Sequence, residues 1–503
     1  MSLESKVTEK MSRALSLIYC LIPLLTGCMV GPKYHKPETA MPESFEETSE
    51  AEIANDQDLC RWWEQFEDPL LNELIAEAVK SNYDWRIALE QIFEVRAQYR
   101  IQKSYLWPEV DLNASATRAR FSDNLFSSSS NTNSTASGSS PASIVSGNNF
   151  PVAGTIQDFF QVGFDAVWEL DFFGKYRRNK QQAFDLWEKS KETAQNVLII
   201  IVSEVARDYV SIRALQKQID LLNEKIEMDK RELELAEVLF NAGLDNQIQV
   251  ENLLSSLQGD LSRIPVLETT LKQTIFGLAV LLGRQSEGFA EEFAVRSPIP
   301  SGAGKVPVSL PSDLLRRRPD IRMAERQLAA ATEKIGAAIA DYFPHVFLTG
   351  NTYGFESARA SKWLIAASRY WNVGPSLNWD LINFGRTRAQ VDVSKSLQRQ
   401  ALLTYEQTVV SSLKDVEGAL VAYFEEQKRM ISFDTQVEAS RRVFDLTNDL
   451  FTSGLADESQ VLSAKKALLD AQTSYVQSQQ ALTGDLIALY KALGGEWECT
   501  SSP

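Results

Sequence analysis

Residue types that carry catalysis or hold metals are scarce in this chain of 503 residues. Its two histidines, His35 and His345, belong to no His-Glu-x-x-His motif, and no Cys-x-x-Cys or triad-like grouping accompanies them. Metal ligation and nucleophilic catalysis therefore have little to stand on. Gly302-Ala303-Gly304-Lys305 lacks both the earlier glycine and the following Ser/Thr of a phosphate loop, and reads as linker. His345 follows Pro344 at a predicted strand start, where a lumen or interface side chain is expected. Neither an enzyme nor a cofactor is expected.

The thiol of Cys28 is different. Lys6, Lys10 and Arg13 precede an apolar stretch from Ala14 to Leu25, and Leu25-Thr26-Gly27 leads directly into Cys28. Basic, apolar and small residues in that order form a secretory signal, too short for a membrane span and interrupted by Pro23. The ending resembles the bacterial lipobox. That resemblance implies S-diacylglycerol and N-palmitoyl groups on Cys28, with acyl chains contributing about 0.8 kcal/mol per buried methylene. Met29 in the next position, rather than Asp, favours the outer membrane by the same resemblance. Of the other cysteines, Cys20 lies in the signal, while Cys60 and Cys499 are left; an oxidising compartment would permit them to pair, but their spacing does not require it.

Composition narrows the class further. With 67 acidic against 51 basic residues and a net charge of −16, no basic stripe for a phosphate backbone is present, and nucleic acid is not expected as a partner. No run of 18 apolar residues follows the signal, which excludes a bundle of membrane helices but not a barrel.

Internal repetition organises the remainder. A shift of 211 residues superposes Trp168 on Trp379, Phe173-Gly174 on Phe384-Gly385, Gly243-Leu244 on Gly454-Leu455 and Leu282-Gly283 on Leu493-Gly494. Upstream the shift is 236, pairing Asp84 with Asp320, Arg86 with Arg322 and Pro108 with Pro344. The two shifts differ by 25 residues, an insertion that falls in the Ser/Asn/Gly-rich stretch from Ser122 to Phe150. The expected organisation is a signal at 1–27, a lipid-anchored extended segment at 28–69, repeats at 70–284 and 306–494 joined by a linker at 285–305, and a tail at 495–503.

Each repeat reads helix, strand, loop, strand, very long helix and returning helix. Strands are expected at about 108–120, 156–170, 344–356 and 370–382, alternating apolar with polar as in Val110, Leu112, Ala114 and Ala116 against Asp111, Asn113, Ser115 and Thr117. A half-buried soluble sheet has the same period, but the lipoprotein signal favours an outer-membrane barrel with a wet lumen. Four strands cannot close a barrel, for which about eight is the practical minimum, so copies must share one; twelve strands from a trimer is the preferred solution. Long helices are expected at 175–242 and 386–453. The first lacks Pro and Gly throughout and would reach roughly 100 Å, with apolar residues three and four apart except at Asp208 and Asp229. Gly174 and Gly385 read as strand-to-helix turns, and Gly243 and Gly454 as the turns into returning helices at 246–283 and 457–493. Pro265 should bend or break the first of these.

These residues resemble the TolC/OprM-like outer membrane factors, in the lipoprotein (NodT) branch that serves resistance-nodulation-division (RND) efflux pumps. The resemblance rests on Cys28-Met29-Val30-Gly31-Pro32-Lys33-Tyr34, on Trp62-Trp63 with Asp68-Pro69, on Arg317-Arg318-Pro319-Asp320 with Ile335-Gly336 and Phe343-Pro344, and on Tyr490-Lys491-Ala492-Leu493-Gly494-Gly495. It implies an α+β membrane protein: a trimeric twelve-stranded barrel continuous with a coiled-coil helical barrel that reaches into the periplasm. It further implies a homotrimer in outer-membrane lipid, partnered by a periplasmic adaptor and an inner-membrane RND-type pump, that conducts drugs or toxic compounds outward. The hairpin tips would hold the gate, with Gly243, Asp245, Gly454, Asp457 and Glu458 as candidates, although Ser463 stands where the family commonly has Asp. Asp457 and Glu458 fit either an acidic ring that favours cations or ordinary carboxylates at a helix N-terminus. An exit duct for protein secretion and a pore-free coiled-coil lipoprotein are the rival readings; lipidation favours efflux.

Overall fold

The computed structural model describes residues 29–39, 41–42, 44–45, 52–53, 61–120, 156–301, 307–308 and 311–495. Cys20, Cys28, Cys60, Cys499, the Ser122–Phe150 insertion and Gly302–Lys305 lie outside them. In chain order the main elements are α1 (Pro69–Ser81), α2 (Tyr83–Ser104), β1 (Glu109–Arg120), β2 (Ile156–Leu170), α3 (Lys175–Asn241) and α4 (Gln247–Leu281). They continue as α5 (Pro311–Arg317), α6 (Pro319–Ala340), β3 (His345–Ser357), β4 (Arg369–Tyr370), β5 (Gly374–Asn378), α7 (Arg386–Thr452) and α8 (Glu458–Ala492).

The repeat is visible in this list. α2 and α6 have 22 residues each, α3 and α7 have 67, and α4 and α8 have 35. Equivalent turns share a left-handed glycine, with φ of +84° and +88° at Gly174 and Gly385 and of +71° and +73° at Gly243 and Gly454. A side chain at these positions would be strained, which is why the turns are written in glycine. Caps repeat as well: Asn246 accepts from Gln249 N and Asp457 from Gln460 N. Both indole N–H groups of the equivalent pair Trp168 and Trp379 donate to equivalent carbonyls, Leu106 O at 3.1 Å and Tyr342 O at 3.0 Å.

The chain divides into two units. One comprises the described residues up to Tyr34, Ala97–Ala183 and Ala331–Leu397, and contains an antiparallel sheet in the order β1, β2, β3, then β4 and β5. The fourth strand was expected to run unbroken over 370–382, but it forms in two pieces. Four residues of β3, 350–353, face three residues, 371–373, between the pairs Thr349↔Gly374 and Gly354↔Tyr370. The same part of β3 slips by one against β2, between Phe164↔Tyr353 and Asp165↔Asn351. A single bulge in β3 accounts for both shifts, and Pro375 adds a position without a ladder N–H. The bulge preserves the faces. Val346 and Leu348 before it and Tyr353 and Phe355 after it all oppose Leu170, Trp168, Phe164 and Val162, the apolar face of β2.

The other unit comprises His35–Arg96, Phe184–Ala330 and the chain from Gln398 onward. Its core joins the apolar stripes of α3, α7 and α8 to the short helix α1. Leu71, Leu74, Ile75 and Ala78 of α1 are buried with Val205, Tyr209 and Ile212 of α3 and with Tyr405, Val409, Val416 and Leu420 of α7. Burying each large aliphatic side chain contributes about 1.5–3 kcal/mol. Asp68 caps α1 and also accepts from the Tyr209 hydroxyl at 2.6 Å, while Trp62 stacks on Tyr490 at 5.2 Å. Part of the expected linker is folded: Phe289 and Phe293, on a short 3-10 turn, belong to this core. α4 runs through Pro265 without a break. A proline removes one N–H from the ladder, and the long helical flanks hold the backbone on either side. The stripe of α7 is buried only as far as Phe424; Phe433, Val437 and Phe444 are half-buried and Phe451 is exposed.

Candidate functional site

Alternation along the strands produces two unlike faces. Val110, Leu112, Phe164, Leu348, Tyr353 and Leu377 share the apolar face, and all six are exposed. Asp111, Asn113, Gln161, Asp165, Glu169, His345 and Asn378 share the other. Asn113 Nδ2 donates to Asp165 at 2.5 Å across this polar face.

His345 opens β3 on the polar face, with Nδ1 2.6 Å from Glu169 Oε1 and Nε2 3.8 Å from Asp341 Oδ1. Tyr176 donates its hydroxyl to the other oxygen of Glu169 at 2.5 Å. Burial first, and then Glu169, hold the Tyr176 phenol far above its ordinary range, so it remains a donor. Lys175 neutralises Asp341 at 2.8 Å and Arg386 neutralises Asp380 at 2.7 Å. Together Asp341, His345, Asn378, Asp380, Arg386, Thr387 and Gln390 line a polar cavity of about 360 Å³. No group of metal-ligating residues forms here or elsewhere among the described residues. The arrangement is that of a charged, polar wall at a strand-to-helix junction.

At the far ends of the long helices, Gly243 and Gly454 reverse the chain, and Leu244 and Leu455 beside them are exposed. Asp245 accepts from Asn246 N at 2.7 Å. Asp457 is the N-cap of α8, and Glu458 in its first turn accepts from Arg231 Nε of α3 at 2.8 Å. That contact begins a series of ion pairs between α3 and α8. Lys465 meets Glu224 at 2.8 Å, Lys466 meets Asp229 at 3.1 Å and also Glu232, and Lys225 meets Asp470 at 2.9 Å and Asp260 of α4 at 3.3 Å. Burial raises the Asp229 pKa above the ordinary carboxylate range, with Lys466 acting against it. In the sequence Asp229 is only a gap in the apolar stripe. Its partner lies in another helix, and nothing local announces the pair.

Residues 74–284 and 310–495 match the outer membrane efflux protein family. The solvent efflux pump outer membrane protein SrpC of Pseudomonas putida is 28% identical over 485 residues, covering 95% of this chain and 97% of its own. The cation efflux system protein CusC of Escherichia coli is 28% identical over 491 residues, covering 97% of this chain and 100% of its own. Among solved structures, the outer-membrane channel OprN superposes with a TM-score of 0.80 at 30% identity, over 93% of this chain and 100% of that one. The Campylobacter jejuni CmeC outer membrane channel superposes at 0.81 with 19% identity over 94% and 96%, a likeness of fold. The chain, whose sheet feeds twice into 67-residue helices, thus superposes on efflux channels along nearly its whole length. The chain belongs to the outer membrane efflux protein family, in its NodT- and OprM-like branch, and is the outer-membrane channel component of an efflux system.

Proposed function

We propose that three copies close their sheets into one twelve-stranded barrel, continuous with a periplasmic helical tube. Through this duct drugs or other toxic compounds pass from an inner-membrane RND-type pump and its periplasmic adaptor to the exterior. The observation that carries this reading is the open sheet: its order ends on β1 at one side and on β4 and β5 at the other. Unpaired strand edges in lipid would leave each N–H and C=O unsatisfied at several kcal/mol apiece, and only ring closure pairs them all. The apolar face supports the same conclusion, with Val110 60% and Leu112 63% exposed in the single chain. Two chains would supply eight strands, a barrel filled by its own side chains, whereas three leave a lumen. The named relatives export solvents in one case and cations in another, in keeping with a duct that leaves selection to its pump.

The duct contributes a passage and a gate, and no chemistry. Removing the Glu458 carboxylate releases Arg231 from α8, and removing the Asp457 carboxylate uncaps that helix, so Asp457→Ala with Glu458→Ala should loosen the tips and raise single-channel conductance in a planar bilayer. Unchanged conductance in the double variant would take the gate away from these residues. If no channel is seen in either protein, the duct reading falls. For the anchor, Cys28→Ser should abolish incorporation of labelled palmitate; undiminished label would place acylation elsewhere.

A further inference from the structure

The strand-to-helix junction of the first repeat carries a structure that its counterpart in the second repeat lacks. Val30 N donates to Phe173 O at 3.2 Å, which lays Met29–Gly31 across the junction. Beneath them is Arg178 of α3, whose side chain is only 2% exposed. Every arm of its guanidinium is used: Nη1 donates to Glu333 Oε2 of α6 at 2.8 Å, Nε to Val30 O at 3.1 Å and Nη2 to Gly31 O at 3.1 Å. A planar fork can satisfy three acceptors in fixed directions, which a lysine ammonium cannot do in the same geometry.

Three glycines make the space. Gly31 has φ +91°, and a Cβ on it would meet Gly336 Cα at 2.5 Å. A Cβ on Gly336 would meet Arg178 Nε at 2.6 Å and Val30 O at 3.0 Å, and one on Gly174 would meet Met29 Cγ at 2.8 Å. Gly336 sits inside α6, where glycine is less favourable than alanine, so its place there answers to the close approach of the strap.

The repeat provides an internal control. The same shifts carry Gly174 onto Gly385, Arg178 onto Ala389 and Gly336 onto Arg100. The seat is therefore an addition to the repeat unit, built for the segment it holds.

We infer that Arg178, Gly336 and Gly174 form a dedicated seat for Met29–Gly31, which makes the start of the mature chain a fixed part of the strand-to-helix junction. Because Cys28 is joined directly to Met29, the seat sets where the acyl chains leave the protein, beside the junction-proximal end of β2. This consequence rests on the anchor assigned to Cys28 above; the seat itself does not. Arg178 acts as a positioning residue for the anchor.

The test uses full-length acylated protein extracted in detergent. Within the seated segment and the few residues after it, trypsin can cut after Lys33, whereas Lys36 is followed by Pro37 and is spared. Cleavage is followed as the appearance of a fragment beginning at Tyr34. Wild type should resist, while Arg178→Ala and Gly336→Ala should be cut about tenfold faster or more, the effect of losing a charge-assisted hydrogen bond that holds the strap closed. Arg178→Lys can keep an ion pair with Glu333 but should still release the strap, a result that a purely helix-bracing role would not produce. Equal cleavage of all these proteins would overturn the seat. Should Arg178→Ala fail to accumulate, Gly31→Ala poses the same question from the strap side, and protection equal to wild type there would be equally fatal. Labelled palmitate is measured in parallel. Its absence from wild type would remove the anchor and leave the cleavage contrast standing, so the two failures are distinguishable.

Discussion

Asp208 and Asp229 interrupt the apolar stripe of α3 at the two places where its three-and-four spacing lapses, and each is held above the ordinary carboxylate range by burial. The Asp208 carboxyl is pushed up to about 6, first by burial and then by Glu204, with Arg207 opposing. A carboxyl whose folded pKa lies above its unfolded value favours the folded state while protonated. The contribution from Asp208 is thus fully present below about pH 4, is lost as pH rises toward 6, and is absent at neutral pH. Asp208→Asn, which keeps the shape without the charge, should raise the thermal midpoint at pH 7.5 and flatten the response between pH 4 and 6. An identical pH profile for variant and wild type would refute the assignment. The sequence displayed both aspartates as gaps, but only packing shows that Asp229 is buried and Asp208 half-buried.

Between elements, the ion pairs joining α3 to α8 differ in worth according to burial. Lys466 is 18% exposed and Asp229 2%, so removing the lysine leaves a carboxylate buried without its counter-charge. Lys466→Met should cost about 3 kcal/mol or more, read as the shift of the urea midpoint. Arg231 and Glu458 are 63% and 33% exposed, and Arg231→Ala should move the urea midpoint far less than Lys466→Met does. Comparable losses in the two variants would show that burial does not rank these pairs. The helices themselves are legible in advance, since two runs almost free of Pro and Gly end at left-handed glycines. Their pairing is not, because Lys466 and Asp229 are brought together by the lateral register of two helices far apart in the chain.

At the scale of the whole molecule, the repeat converts contacts within one chain into expectations for the contact between chains. Leu170 pairs with Val346 and Trp168 with Leu348. The shifts of 211 and 236 carry these pairs to Leu381 opposite Val110 of the partner subunit and to Trp379 opposite Leu112 of the partner subunit. The Phe173–Phe343 stack likewise becomes Phe384 against Trp107 of the partner subunit, and both of these side chains are exposed in the single chain. Leu381→Cys combined with Val110→Cys should therefore give disulfide-linked oligomers up to a closed trimer on non-reducing gels, and neither single variant should. Monomer alone from the double variant would reject this register. By itself the sequence determined the duplicated plan, the period of each element and the glycines where the chain turns. All of these are signals between near neighbours, written in periodicity and turn chemistry. Tertiary structure alone decided where β3 bulges and that Lys466 answers Asp229. It also decided that Arg178 receives the carbonyls of Val30 and Gly31. Each of these depends on which groups far apart in the chain come within about 3 Å, and a sequence states the donors and acceptors without stating which of them will meet.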